Sequence, residues 1–293
     1  TKQPTDRPGT NCWISRSDHR KALERLTVRF VHLTDMHITA DNQPLYGLSP
    51  GDRLRAAVDC INQDFTDIAF VVMTGDLVNR GTVPEYQSLR EIVNFLNAPH
   101  YLLLGNHDGR SAFRKIFPEV PVDKNGFVQF TFTVEDNYFI VLDTLDEGKV
   151  TGLLCRQRLD WLQTQLKACN GRDTYLFLHH PPLRLEGGLE LAEMIFGKVK
   201  HLFFGHLHRP LHGSWRGIPI TSQFSTLHQF VYKFGSKVMQ GCHEPPTLGA
   251  VNLADGNVVV NPHAFLDDSP RFNLRSKVAM KAPSQEELPP LDS

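Results

Sequence analysis

Five short hydrophobic stretches, rich in β-branched and aromatic residues, recur along the chain. They are residues 27–33 (TVRFVHL), 68–73 (IAFVVM), 100–104 (HYLLL), 174–178 (TYLFL) and 200–204 (KHLFF). Unbroken apolar character is typical of strands that are covered on both faces of a sheet. The pattern therefore predicts five buried strands.

Helical patterns lie between these strands. Ser49-Pro50-Gly51-Asp52 offers a capping hydroxyl followed by a proline, and Thr82-Val83-Pro84-Glu85 repeats this arrangement. Leucines on one face predict a third helix over residues 156–169, and alternating segments within 126–145 and 213–265 predict antiparallel strands. The expected fold class is α/β, a four-layer α/β/β/α sandwich of two mixed β-sheets flanked by helices.

The composition fits one large domain with extensions at both ends. The chain has 293 residues, of which 41% are hydrophobic and 22% charged, so it can bury a large core. Residues 1–26 mix proline, glycine and charge and are predicted to be an N-terminal extension. Residues 271–293 end in a proline-rich acidic stretch and are predicted to be a C-terminal tail. This leaves 27–270 as the folded domain.

Charge and cysteine content narrow the function and the location. Lys and Arg total 31 against 32 Asp and Glu, and this balance argues against binding of extended nucleic acid. The five scattered cysteines form no CxxC pair, which is typical of a reducing compartment. No apolar run approaches the roughly 18 residues of a membrane helix, and the first residues lack a signal-peptide core. We expect a cytoplasmic protein without membrane contact.

Residue types that bind metals follow each of the five predicted strands. The strand endings are Asp35-Met36-His37, Gly75-Asp76, Gly105-Asn106-His107-Asp108, His179-His180-Pro181-Pro182 and Gly205-His206-Leu207-His208. Six of the chain's 14 histidines lie in these endings, which scattered core histidines would not do. Because loops beyond the carboxyl ends of strands in an α/β sheet converge on a crevice, we expect these side chains to meet there.

The types of donor atom limit which metal ions the site can bind. Carboxylate, amide and imidazole without cysteine argue against a structural zinc site or an iron–sulfur cluster, and several imidazoles argue against magnesium alone. There are too many candidate ligands for one ion. Two divalent transition-metal ions (Mn, Fe, Zn or Co) sharing a carboxylate, roughly 3.5–4 Å apart, are therefore expected.

The ordered endings D-x-H, GD, GNHD, HHPP and GH-x-H resemble the calcineurin-like metallophosphoesterase superfamily. The stretches LYG (45–47), GTVPEYQ (81–87) and STLHQ (225–229) narrow the likeness to the bacterial branch of class III cyclic nucleotide phosphodiesterases and glycerophosphodiesterases, over roughly residues 28–265. The resemblance implies the following ligands, with His180 as an alternative to His179: Asp35, His37 and His208 for one ion, Asn106, His179 and His206 for the other, and Asp76 as the bridge.

The resemblance also implies an activity. It suggests that a hydroxide bridging the two ions attacks phosphorus in small phosphodiesters, either cyclic nucleotides or glycerophosphodiesters. His107 is expected to stabilise the transition state or to protonate the leaving alkoxide, with Asp108 orienting it. His228 is expected to face the substrate, the loops 183–193 and 223–245 to shape its site, and the chain to form a homo-oligomer, a dimer or larger.

Three other functions stay open at this point. A phosphomonoesterase, including a protein phosphatase, could use the same metal pair, although no second clamp of arginines lies beside the motifs to hold a dianion. A nuclease is disfavoured by the neutral charge balance. A non-catalytic scaffold could use the metal-bound cleft to bind a partner.

Overall fold

Two large β-sheets form the interior of the protein. The computed structural model describes residues 27–235 and 238–270, so the predicted extension (1–26) and tail (271–293) lie outside the described residues. The strands are β1 Val28–Leu33, β2 Phe70–Thr74, β3 His100–Leu103, β4 Phe130–Val134, β5 Asn137–Val141, β6 Asp173–Phe177, β7 His201–Phe204, β8 Leu211–Trp215, β9 Ile218–Ser222, β10 Gln229–Phe230, β11 Gly241–Cys242, β12 Thr247–Ala254 and β13 Asn257–Ala264. The helices are α1 Pro50–Asp64, α2 Val83–Val93, α3 Arg110–Ile116, α4 Arg156–Ala168 and α5 Gly188–Ile195.

Both large sheets are mixed. The first has the order β13-β12-β1-β2-β3, in which β1, β2 and β3 run parallel and β12 and β13 are antiparallel additions. The second has the order β4-β5-β6-β7-β9-β8, with a parallel centre and antiparallel edges. All five strands expected from the hydrophobic stretches are present, and the two-sheet α/β/β/α architecture is confirmed.

Aromatic side chains hold the two sheets together. The ring of Phe30 on β1 lies 5.7 Å from that of Phe177 on β6 and 5.4 Å from that of Phe203 on β7, in edge-to-face contacts. All three side chains are fully buried. Alternate residues of the second sheet point the other way and pack with leucines of α4 and α5 in a separate core. The period of two along each strand thus supplies both layers of packing.

The helix starts follow the sequence, but their caps differ. At α2, the Glu85 carboxylate accepts hydrogen bonds from the backbone N–H and the hydroxyl of Thr82, at 3.0 and 2.9 Å. At α1, Ser49 makes no side-chain capping bond, so the predicted cap is wrong although Pro50 does begin the helix. The segment 183–193, expected to be a loop, contains most of α5, because Leu191 and Ile195 are buried against the second sheet.

The topology brings the five metal-ligand motifs to one edge. Strands β1, β2 and β3 run parallel in one sheet and β6 and β7 in the other, so their carboxyl-terminal loops share an end of the sandwich. Within residues 27–235 and 238–270, no helix combines the length and the hydrophobicity needed to traverse a bilayer.

Candidate metal centre

Backbone hydrogen bonds join the loops that carry the predicted ligands. The Asp35 N–H donates to the carbonyl of Gly75 at 3.1 Å, and the His37 N–H donates to that of Asp76 at 2.9 Å. In the other sheet, the N–H of Gly205 donates to the carbonyl of His179 at 3.0 Å. These hydrogen bonds connect the ends of neighbouring strands, and all seven predicted ligands lie along the cleft that these strand ends form.

Four of the predicted ligands form one buried group. The side chains of Asp35, His37, Asp76 and His208 place their donor atoms within 4.8 Å of one another. His37 Nε2 lies 3.1 Å from His208 Nε2 and 3.8 Å from Asp76 Oδ2, and His208 Nε2 lies 3.5 Å from Asp35 Oδ1. Two imidazole nitrogens that converge beside two carboxylates fit a divalent cation.

The other three predicted ligands form a second group beside the first. His179 Nε2 lies 3.2 Å from Asn106 Oδ1 and 3.4 Å from Asp76 Oδ1, and His206 Nδ1 lies 2.8 Å from Asn106 Oδ1. The two oxygens of Asp76 therefore face different groups, since its Oδ2 points to His37. This arrangement fits a carboxylate shared by two ions.

Carbonyl groups set the tautomers of two histidines. His179 Nδ1 lies 2.7 Å from the carbonyl oxygen of Thr74, and His208 Nδ1 lies 2.8 Å from that of His228. A carbonyl can only accept, so each Nδ1 carries the proton and donates it. In the neutral ring, Nε2 then carries the lone pair that can bind a metal ion, on the side where the carboxylates lie.

The structure separates the two adjacent histidines after β6. His179 contacts the carboxylate of Asp76, whereas His180 Nδ1 lies 2.8 Å from the hydroxyl of Thr144. The donor atoms of His180 are nevertheless within 4.8 Å of those of His179 and His206. The contact with Asp76 favours His179 as the ligand.

Five of the seven predicted ligands adopt left-handed backbone conformations. The φ angles are 54° for Asp35, 48° for His37, 47° for Asp76, 72° for His206 and 50° for His208. Residues other than glycine rarely adopt these backbone angles, because each such residue costs about 1–3 kcal/mol of conformational strain. Strain of this kind concentrates at functional sites. The sequence pattern gave no sign of this feature.

Gly75 allows the closest approach in the centre. Its φ is +89°, and a Cβ at this position would lie 2.5 Å from His179 Nδ1 and 2.7 Å from the backbone nitrogen of Gly105. Any side chain would push His179 away from Asp76. The glycine before the aspartate in the second motif is thus required by packing as well as by backbone conformation.

Burial and the Asp76 carboxylate shift the pKa values of the candidate ligands in opposite directions. Burial lowers the pKa of His206 to about 3 and that of His37 well below its usual value. Burial also opposes protonation of His179, but the adjacent Asp76 carboxylate outweighs it and raises the pKa of His179 to about 9. Burial would raise the pKa of Asp76, yet the charge of His179 holds it well below its usual value. In the metal-free protein His179 is therefore protonated near pH 7, and a metal ion that binds its Nε2 would replace that proton.

His107 lies at the open side of the centre. Its ring is exposed and packs edge-on against the ring of His37, with centroids 4.7 Å apart. Its Nδ1 donates to the carbonyl of Asn79 at 2.8 Å, and its backbone N–H donates to Asp76 Oδ1 at 2.9 Å. The remaining ring nitrogen, Nε2, is the atom that can exchange a proton with a substrate.

Asp108 does not orient His107 in the structure, contrary to the expectation from the sequence. Asn79 does so instead, since its carbonyl accepts from the His107 ring. The buried Asp108 carboxylate accepts four hydrogen bonds, from the N–H groups of Gly105, Leu77 and Val78 and from the Tyr86 hydroxyl, at 2.8 to 3.3 Å. It therefore ties together the loops after β2 and β3. Burial raises its pKa to about 7.

His228 lies beside the first ligand group. Its ring centroid is 4.6 Å from that of His208 and 4.7 Å from that of Tyr46, whose side chain is 69% exposed. Burial lowers the pKa of His228 to about 4, so its ring is neutral near pH 7. The sequence predicted a substrate-facing side chain here, but missed that the backbone carbonyl of the same residue holds His208.

The first part of the segment 223–245 donates hydrogen bonds to the backbone of the loop that carries Asp35. The hydroxyl of Ser225 donates to the carbonyl of Asp35 at 2.7 Å, and the N–H and hydroxyl of Thr226 donate to the carbonyl of Thr34 at 3.0 and 3.1 Å. Ser225 and Thr226 are fully buried. Among the described residues of this segment, the exposed ones lie mostly in the later part, around the β10–β11 hairpin.

Comparison with known proteins identifies relatives over most of the chain. A model of the calcineurin-like phosphoesterase family matches residues 28–210. A probable cyclic nucleotide phosphodiesterase of Rhodopseudomonas palustris is 41% identical over 269 residues, which cover 86% of this chain and 98% of that protein. The 3′,5′-cyclic adenosine monophosphate phosphodiesterase of Escherichia coli K12 is 29% identical, with 69% and 78% covered. A glycerophosphodiester phosphodiesterase of Enterobacter lignolyticus is 28% identical, with 73% and 79% covered.

Solved structures share the fold at low identity. A purple acid phosphatase from yellow lupin seeds superposes with a TM-score of 0.59 at 14% identity, covering 83% of this chain and 52% of that one. GAP50, the anchor in the inner membrane complex of Plasmodium, superposes with a TM-score of 0.58 at 14% identity, covering 83% and 86%. The sequence matches, together with this fold, show that the chain belongs to the calcineurin-like phosphoesterase family.

Proposed function

We propose that the chain is a metal-dependent phosphodiesterase that hydrolyses small phosphodiesters, cyclic nucleotides or glycerophosphodiesters. The observation that carries the proposal is the pair of adjacent ligand groups that share Asp76. The sequence relatives include phosphodiesterases named for both substrate classes. A centre of this kind suits in-line displacement at phosphorus.

Membership of the family implies divalent metal ions, and the donor set fits them. Asp35, His37 and His208 would hold one ion, Asn106, His179 and His206 the other, with Asp76 between them. Manganese, iron, zinc and cobalt all suit mixed carboxylate, amide and imidazole ligands. When bound, two such ions supply Lewis-acid stabilisation of the phosphoryl oxygens and lower the pKa of a water molecule.

His107 would act on the leaving group. Its Nδ1–H is held by the carbonyl of Asn79, so in the imidazolium form Nε2–H is the proton that can be transferred. Transfer to the departing alkoxide oxygen produces an alcohol and leaves a neutral imidazole. The exposed position of this ring beside His37 gives a substrate access to Nε2.

Hydrolysis of model esters tests the proposal. Metal-stripped protein reloaded with Mn²⁺ is assayed with bis(p-nitrophenyl) phosphate and with p-nitrophenyl phosphate, and then with cyclic nucleotides and glycerophosphodiesters. We expect metal-dependent diester cleavage that is lost in Asn106→Ala, because this change removes the amide oxygen that faces both His179 and His206. His212→Ala, an exposed histidine on β8, is the matched control and should retain activity.

Each other outcome selects a different function. Cleavage of the monoester alone would replace the proposal with a phosphomonoesterase. Two bound ions without hydrolysis of any ester would indicate a binding scaffold. The cytoplasmic location and the homo-oligomer expected from the sequence stay predictions.

A further inference from the structure

A second cluster of metal-binding side chains lies outside the centre and shares no residue with it. Cys60 and Asp64 are one turn apart on the same face of α1, with Cys60 Sγ 3.8 Å from Asp64 Oδ2. His263 reaches them from β13, and the donor atoms of all three lie within 4.8 Å of one another. Residues from two elements about 200 positions apart thus place a sulfur, an oxygen and a nitrogen together.

The distances and donor types suit zinc. A tetrahedral zinc site with bonds of about 2.0–2.3 Å has ligand atoms about 3.3–3.8 Å apart, so the Cys60–Asp64 separation already fits. The His263 nitrogen lies within 4.8 Å of both, so it has to move by no more than about 1–1.5 Å to reach the same spacing. Magnesium and calcium prefer oxygen ligands, whereas a thiolate with an imidazole selects a softer ion.

The end of α1 independently favours a cation. Asp64 is the last residue of the helix, at the negative end of its dipole, and the last turn carries no basic residue. The nearby guanidinium of Arg29 contacts Asp67 instead. A thiolate would add a second negative charge at this helix end. A divalent ion bound there neutralises the thiolate, the carboxylate and the helix terminus together.

The imidazole is held in place for such a role. The ring of His263 packs edge-on against Phe65, the residue that follows α1, with centroids 5.3 Å apart. His263 pairs with Leu248 on β12, and β13 is the edge strand of its sheet. An ion at this cluster would therefore tie the end of α1 to an edge strand.

We propose that Cys60, Asp64 and His263 form a zinc site, with a water molecule as the fourth ligand, that stabilises the junction of α1 with β13. The site is structural and lies apart from the hydrolytic centre. Its occupancy does not depend on the proposed phosphodiesterase activity.

Cobalt spectroscopy on the full chain tests the site. With the hydrolytic centre already loaded with Mn²⁺, Co²⁺ is added and the near-ultraviolet thiolate-to-cobalt charge-transfer band is recorded. Because none of the predicted ligands of the hydrolytic centre is a cysteine, this band reports a cysteine-bound ion only. We expect the band in the wild type and in the control Cys242→Ser. In Cys60→Ser the band should be absent, and the protein should bind one zinc ion per chain fewer than the wild type.

Hydrolysis of bis(p-nitrophenyl) phosphate by Cys60→Ser should equal that of the wild type. Failure of the phosphodiesterase proposal is therefore distinguishable from failure of this one. A charge-transfer band that persists in Cys60→Ser, or equal zinc content in the two proteins, would overturn the site.

Alkylation of the wild type supplies a test that needs no variant. Peptide mapping after iodoacetamide treatment should show Cys60 modified at least about 10-fold more slowly when zinc is present, with Cys242 unaffected and the effect reversed by a chelator. Zinc at about 100 times its Kd should also raise the ratio of folded to unfolded protein about 100-fold. Equal alkylation rates with and without zinc would refute the proposal.

Discussion

The hydrogen bond from Thr34 to Asp35 provides a test of whether a neighbouring side chain orients a proposed metal ligand. The Thr34 hydroxyl donates to Asp35 Oδ2 at 2.8 Å, and both side chains are fully buried. Replacement by valine keeps the shape of the side chain and removes this hydrogen bond, together with a longer one of 3.4 Å from the same hydroxyl to the carbonyl of Thr74. We expect Thr34→Val to weaken binding of the ion for which we propose Asp35 as a ligand, because the carboxylate loses the contact that orients it.

The structure sets the size of the effect. A hydrogen bond to a charged group contributes about 1.5–3 kcal/mol. The backbone N–H of His206 also donates to both oxygens of Asp35, at 3.1 Å, so the carboxylate keeps a partner and the lower end of the range applies. A loss of about 1.5–2 kcal/mol corresponds to a Kd about 10–30 times higher.

Thr226→Val is the matched control. Its hydroxyl donates at 3.1 Å to the carbonyl of Thr34, which also accepts from the Thr226 N–H, and no charge is involved. Competition with a chromophoric chelator for Mn²⁺ gives the Kd of each variant. We expect a change of less than about threefold in the control and recovery of Thr34→Val activity at saturating metal. Equal Kd values for the two variants would refute the reasoning.

Three further predictions address the backbone, the leaving group and the pH dependence of stability. Gly75→Ala should lower the free energy of unfolding by about 2–4 kcal/mol in urea titrations, because its φ of +89° and the 2.5 Å approach to His179 exclude a Cβ; an unchanged midpoint would contradict this. His107→Gln should reduce kcat about 100-fold or more for diesters with alkoxide leaving groups and far less for p-nitrophenolate, which departs without a proton; equal losses would exclude an acid role. His201 hydrogen-bonds the Thr221 hydroxyl, and burial lowers its pKa to about 4 from 6.5. Because the unfolded chain binds this proton first, the contribution of His201 to the free energy of unfolding should fall by about 1.4 kcal/mol per pH unit from pH 6.5 down to about 4. The substitution His201→Gln should reduce the pH slope by this amount in chemical denaturation at several pH values.

Local patterns were sufficient to predict the main strands and three of the helices. The five apolar stretches form β1, β2, β3, β6 and β7, because only strands covered on both faces tolerate such runs. The helices α3 and α5 were missed. The short segment of α5 has no capping pattern and becomes helical by packing against the second sheet. The capping hydrogen bond expected from the Ser49 hydroxyl is absent. The sequence identifies a polar residue but not which neighbour it contacts.

The sequence predicted which residues meet in the cleft but not the contacts that orient them. The carbonyls of Thr74, His228 and Asn79 fix three imidazoles, and every residue has a carbonyl, so no residue type indicates this role. Asp108 shows the reverse case. Its place in the GNHD motif suggested a partner for His107, whereas the fold directs its carboxylate to backbone N–H groups.

By itself, the sequence determined the sandwich, the set of candidate ligands and their order, because hydrophobic period and residue chemistry are local properties. Only the tertiary structure decided that Asp76 faces two groups, that His179 rather than His180 contacts it, and that five candidate ligands hold left-handed backbone angles. It also brought Cys60, Asp64 and His263 together from a helix and a distant strand. These features depend on distances between residues far apart in the chain, which only the packing of the two sheets and their helices sets.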